Sequence, residues 1–273
     1  MAPRPVSPQA DLLQSPALPL LLQHGSVHTD LQAVLQLCCT SKAMRAAVLQ
    51  HCRGLLDVSF TASSMQHAQR FVAWVAKHGQ LMGCLHILPD HHHTECEMYG
   101  FDPEMEEAPK LLQQAQLCIA SALKQLQQQP GEQGGVQQQQ QGAQGGVQLR
   151  ELQLVPVGRA AEALLQATAS SKLLRLDMRC YAYMYADEHP MSGSGSPVGS
   201  SLSSMISSIA SLGQLQSLTV VAVLEPEEML HVLPALTSLT QLGIYHAWPL
   251  HSYTSKQFCL AATGWQAAEA AHH

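Results

Sequence analysis

Residues 149–154 read Leu-Arg-Glu-Leu-Gln-Leu, and the same L-x-x-L-x-L spacing returns at Leu173-Leu176-Met178, Leu215-Leu218-Val220 and Leu239-Leu242-Ile244. The first and last pairs of these segments are each offset by 24 residues. The middle offset is 42, and its surplus of 18 falls in Ser192 to Ser201, almost all Ser, Gly and Pro, where a loop insertion is expected. Self-similarity at a period of ~20–29 residues signals stacked units of one strand and one helix, none of which buries its apolar face alone.

A true unit brings its helix at a fixed distance before each strand. Twelve residues before Leu176, Leu218 and Leu242 stand Leu164, Ile206 and Leu230; one residue earlier stand Ala163, Met205 and Met229; three later stand Ala167, Ile209 and Leu233. These are positions i, i+1 and i+4, one face of a helix in the same phase three times. The third helix opens with Pro226, Glu227 and Glu228, where a missing amide costs nothing and negative charge suits the helix dipole. Upstream, the template finds Met82-Leu85-Ile87, preceded by the helical spacing of Met65, Ala68, Val72 and Val75, and before that Leu55-Val58-Phe60. One more helix, with Leu111, Leu112, Ala115, Ile119, Ala122 and Leu126, lies between two insertions. Asp102 ahead of Pro103 is its expected cap, and Glu104, Glu106 and Glu107 complement its dipole rather than forming a catalytic carboxylate pair.

The expected fold is therefore α/β, a leucine-rich-repeat solenoid with parallel strands inside and helices outside, and a small N-terminal three-helix bundle. Residues 1–10 read as a disordered N-terminus, 11–53 as the bundle and 54–250 as six repeats, with inserted loops at 89–103, 127–148 and 186–201. Residues 251–273 read as a cap or the start of a truncated repeat, with Ser255 to Trp265 as the cap helix.

Composition agrees. The chain is 46% hydrophobic but only 5% aromatic, which suits a core of Leu, Ala and Val in a chain long enough to bury one. The net charge is -6 and the Lys and Arg residues are scattered, so no basic face for nucleic acid is expected. No apolar run approaches the ~18 residues of a membrane span, and Pro3, Pro5 and Pro8 interrupt any signal peptide; the expected compartment is cytoplasm or nucleus. Eight cysteines include no C-x-x-C pair and read as free thiols. His91, His92, His93, Glu95 and Cys96 are metal-ligating types, but consecutive residues diverge and no second ligand pair follows, so neither a metal nor another cofactor is expected. Without a nucleophile elbow, a phosphate loop or an H-E-x-x-H motif, the chain does not read as an enzyme.

The first fifty residues do not follow the repeat. Leu18-Pro19-Leu20-Leu21-Leu22 begins an apolar helix, Thr29 is the expected cap of a second over Asp30 to Cys39, and Ser41 that of a third over Lys42 to Cys52, with Met44, Ala47 and Val48 on its apolar face. The Leu-Pro start, Asp30-Leu31, and Leu35-x-Leu37-Cys38-Cys39 leading into Ser41-Lys42-Ala43-Met44-Arg45 resemble the F-box, which commonly precedes leucine-rich repeats. The match is degenerate: Met44 stands where the family usually has Trp or Phe, and Leu20 where an acidic residue is common. The resemblance implies the substrate-recognition subunit of a cullin-type ubiquitin ligase, docked on a Skp-type adaptor and doing no chemistry itself. It brings Leu18, Pro19, Leu22, Leu35, Leu37, Met44 and Arg45 nearest the adaptor. The alternative is a helical cap on a leucine-rich scaffold without a ubiquitin role.

The face offered to a protein substrate follows from strand alternation, since residues flanking the inward leucines point the other way. Three columns result: Glu151, Arg175, Ser217 and Gln241; Gln153, Asp177, Thr219 and Gly243; and Val155, Arg179, Val221 and Tyr245. Glu151 and Arg175 are expected to meet across neighbouring strands. Arg179 and Tyr245 are the expected contact residues, because Arg and Tyr are enriched at interface hot spots. A metal-dependent enzyme built on the His91 to Cys96 loop is the remaining reading, disfavoured by its missing ligand set.

Overall fold

Val58, Leu85, Leu152, Leu176, Leu218 and Leu242 stand side by side across one sheet and are all buried. The computed structural model describes residues 15–28, 30–90, 104–128, 147–156, 158–169, 172–179, 205–222 and 232–246, and the backbone of 254–261 and 264–268. Four helices come first: α1 (Ala17–Leu22), α2 (Gly25–His28), α3 (Leu31–Thr40) and α4 (Lys42–His51). Strands and helices then alternate as β1 (Leu56–Ala62), α5 (Met65–His78), β2 (Met82–Pro89), α6 (Glu104–Gln128), β3 (Glu151–Leu154), α7 (Gly158–Thr168), β4 (Arg175–Arg179), α8 (residues 205–210) and β5 (Ser217–Ala222). A 3-10 turn, Leu233–Ala235, precedes β6 (Gln241–His246).

Strands β1 to β6 are parallel, each paired with its sequence neighbours, so the protein is mixed α/β with a six-stranded parallel sheet that does not close into a barrel. Helices between the strands make this possible, because a parallel pair needs a crossover of a dozen or more residues. A second apolar row, Phe60, Ile87, Leu154, Met178 and Val220, is buried beside the first, and Leu149, Leu173, Leu215 and Leu239 are buried at the strand entrances. Each such side chain contributes about 1.5–3 kcal/mol by leaving water.

One hydrogen-bond pattern recurs at the strand entrances. The Arg150 carbonyl accepts from the amides of Leu174 (2.7 Å) and Arg175 (3.0 Å), that of Leu174 from Gln216 (2.8 Å) and Ser217 (2.9 Å), and that of Gln216 from Thr240 (2.8 Å) and Gln241 (3.0 Å). The Arg150 amide in turn donates to the Gly83 carbonyl at 2.7 Å. Gly83 is the extra residue where the β1–β2 register shifts between Leu56 and Asp57, and a Cβ there would lie 2.2 Å from the Gly54 carbonyl oxygen. Only glycine lets the two backbones approach this closely.

Local signals explain the helix starts. Asp30 accepts from the Ala33 amide at 2.9 Å, Ser41 from Met44 at 3.0 Å and Ser64 from His67 at 3.1 Å. The cap of α3 is thus Asp30 rather than Thr29, whose own placement lies outside the described residues. Along α5, Phe71 stacks on Phe60 at 4.7 Å and on Trp74 at 5.8 Å, and the buried His78 tilts against Trp74 at 5.7 Å.

Three expectations are corrected. Among its described residues the N-terminal segment holds four helices, not three, because Gly25–His28 forms a short helix of its own. Leu233 sits in a 3-10 turn rather than a full helix, since Pro234 lacks the amide that a continuing helix would use; Pro226 to Leu230 lie outside the described residues. Thr254–Ala261 and Gly264–Ala268 are strands β7 and β8, not a helix; β7 is antiparallel to β6, and β8 is antiparallel to β7. The free edge of β6 supplies the backbone donors and acceptors that this pairing satisfies. Of the expected loops at 89–103, 127–148 and 186–201, residues 91–103, 129–146 and 186–201 fall outside the described residues, while Pro89 ends β2 and Gln127 and Gln128 end α6.

Gly83→Ala should destabilise the fold by about 1–3 kcal/mol, whereas Gly213→Ala, with nothing within 4 Å of its Cβ, should stay within about 0.5 kcal/mol; urea midpoints compare the two. A pH dependence follows from His78. Burial, then Lys77 and Arg45, hold its imidazole below the ordinary 6.5, so its contribution to stability is complete above 6.5 and is lost as pH falls through 6.5 towards the depressed folded value. Melting temperatures of the wild type and His78→Gln at pH 7.5 and 5.5 should show a smaller acid-induced drop in the variant.

Candidate interaction surfaces

The strand residues that alternate with the buried rows form an open face. Its first row is Asp57, Cys84, Glu151, Arg175, Ser217 and Gln241, and its second Ser59, His86, Gln153, Asp177, Thr219 and Gly243, each in cross-strand register. The two expected columns from Glu151 and from Gln153 are therefore in place. Their upstream members, Asp57, Cys84, Ser59 and His86, were missed by columns drawn only through the four clean repeats, although the same alternation from Val58 and Leu85 points to them. Gly243 is buried, having no side chain to project.

The third column holds only in part. Arg179, Val221 and Tyr245 are neighbours in the backbone register, while the side chains of Val221 and Tyr245 lie outside the described residues. Val155 does not belong to the face. The chain leaves the sheet after Leu154, Val155 is 1% exposed, and its carbonyl accepts from Nε2 of the buried Gln116 on α6 at 2.6 Å.

Charges on the face are arranged across strands. Arg175 lies 3.8 Å from Glu151, the expected pair, and Arg179 binds Asp177 at 2.9 Å within β4. His86 Nε2 is 3.8 Å from Asp57 Oδ1 and 3.8 Å from Glu151 Oε1. Two atoms of the face, His86 Nε2 and Asp177 Oδ1, are buried without a hydrogen-bond partner in the protein. Cys84, between Asp57 and Glu151, senses the local field: burial first, then the Glu151 and Asp57 carboxylates, push its thiol up, while Arg150 and Arg175 pull it back.

The second surface is on the N-terminal helices. Leu18, Leu22 and Met44, brought to the adaptor contact by the F-box resemblance, are instead buried in the core with Val34, Val48 and Cys52. The Cys52 thiol donates to the Leu22 carbonyl at 3.4 Å, tying the end of α1 to the end of α4. Pro19, Leu35 and Leu37 are half-buried and Arg45 is exposed. Leu31, Gln32, Leu35, Gln36 and Cys39 line a shallow, open apolar groove on α3. Leu20 and Leu21, which sequence reasoning did not select, are 73% and 57% exposed.

Among the described residues no group of three or more His, Cys, Asp or Glu side chains is arranged to hold a metal ion, and no helix is long and apolar enough to cross a membrane. His91 to Cys96 lie outside the described residues. Comparison with protein-family models, with curated proteins and with solved structures gives no match.

Cys84 offers a direct reading of the face. Glu151→Gln should lower the thiol pKa and speed its alkylation by iodoacetamide at pH 8, and Arg175→Gln should slow it. Mass-spectrometric labelling rates at this one cysteine check both directions, and equal rates in the three proteins would exclude the field just described.

Proposed function

We propose that this chain is a protein-interaction module, a leucine-rich-repeat solenoid that receives a protein substrate on its open sheet face. In this reading the four N-terminal helices form an F-box-like bundle that docks a Skp-type adaptor, and the chain is the substrate-recognition subunit of a cullin-type ubiquitin ligase in cytoplasm or nucleus. It does no chemistry of its own.

The observation that carries the solenoid reading is the carbonyl fork repeated at Arg150, Leu174 and Gln216, since one junction recurring across three successive strand pairs is what stacking of similar units produces. The substrate face is supported by the charged and polar rows from Asp57 to Gln241, which carry side chains with no role in the core. The adaptor surface is supported by the motif resemblance together with exposed Leu20 and Leu21 and the apolar groove at Leu31 and Leu35. With Leu18, Leu22 and Met44 in the core, adaptor contact falls to Pro19, Leu20, Leu21, Leu35, Leu37 and Arg45.

A second reading is favoured by one observation. The buried side chains of α1, α3 and α4 run without a break into Leu56 and Val58 of β1, so these helices shield the end of the sheet as a cap must. A leucine-rich scaffold with such a cap keeps the substrate face and binds no adaptor.

Co-purification of the full chain with a Skp-type adaptor separates the two. The substrate-receptor reading expects a complex that weakens at least about tenfold in Leu20→Ser or Leu35→Ser, with the melting temperature little changed because both side chains are at least partly exposed. A folded, monodisperse chain that does not bind leaves the scaffold.

A further inference from the structure

We draw no further inference here: the strongest candidate, the cluster of Asp57, Cys84, His86 and Glu151 on the open face of β1 to β3, belongs to the docking surface already described, and carboxylates and cations stand there in comparable number, so nothing in the structure selects the chemistry of a further ligand.

Discussion

A backbone carbonyl that accepts two amides from the next strand's entrance holds this protein in register. At Arg150, Leu174 and Gln216, the entrances to β4, β5 and β6, the bond pair has equivalent partners, and Thr240 Oγ1 adds a third bond to the Gln216 carbonyl at 3.0 Å. Side chains alternate along a strand, so a slip of one residue would turn Leu152, Leu176 and Leu218 to water and press Glu151, Arg175 and Ser217 into the core. Fixing the register at the entrance thus decides at once which atoms form the core and which charges meet on the open face.

The side of the protein opposite that face is free to vary because the register does not depend on it. The crossover from β2 to β3 carries a 25-residue helix, that from β3 to β4 one of 11 residues, and the last, among its described residues, a 3-10 turn of three. Long insertions are tolerated there, since loop-closure entropy grows only slowly with length. Two glutamines of the longest helix reach back to main-chain carbonyls, Gln116 to Val155 and Gln127 to Ala167, fastening it to the following unit. The sheet's first edge is handled differently, by helices whose core side chains continue into β1 and remove from water what an open end would expose.

The leucine rows were legible in the sequence because two periods coincide there, alternation within a strand and 24 residues between strands. Alternation also made Glu151 and Arg175 readable as partners. What escaped depends on contacts distant in sequence. Val155 follows the alternation yet is buried, because a glutamine 39 residues earlier takes its carbonyl. In α1 the helical phase separates Leu18 and Leu22 from Leu20 and Leu21, but which pair faces inward is decided by α4 and the Cys52 thiol. Strand β7 owes its conformation to the unpaired edge of β6, not to any apolar period of its own. Asp57 and His86 were readable in principle, since Val58 and Leu85 set the phase of their strands, but the irregular first units hid the columns.

The distribution of unsatisfied polar atoms separates what stability requires from what it does not. Backbone pairing is repeated at each strand entrance, and a buried polar atom left without a partner costs about 1–3 kcal/mol. His86 Nε2 and Asp177 Oδ1 nevertheless lie in one row on the face that carries none of the leucines, while Gln116 Oε1 is left the same way inside the core. Replacing either residue by Ser or Thr, as at the equivalent Ser59 and Thr219, would leave the core rows untouched.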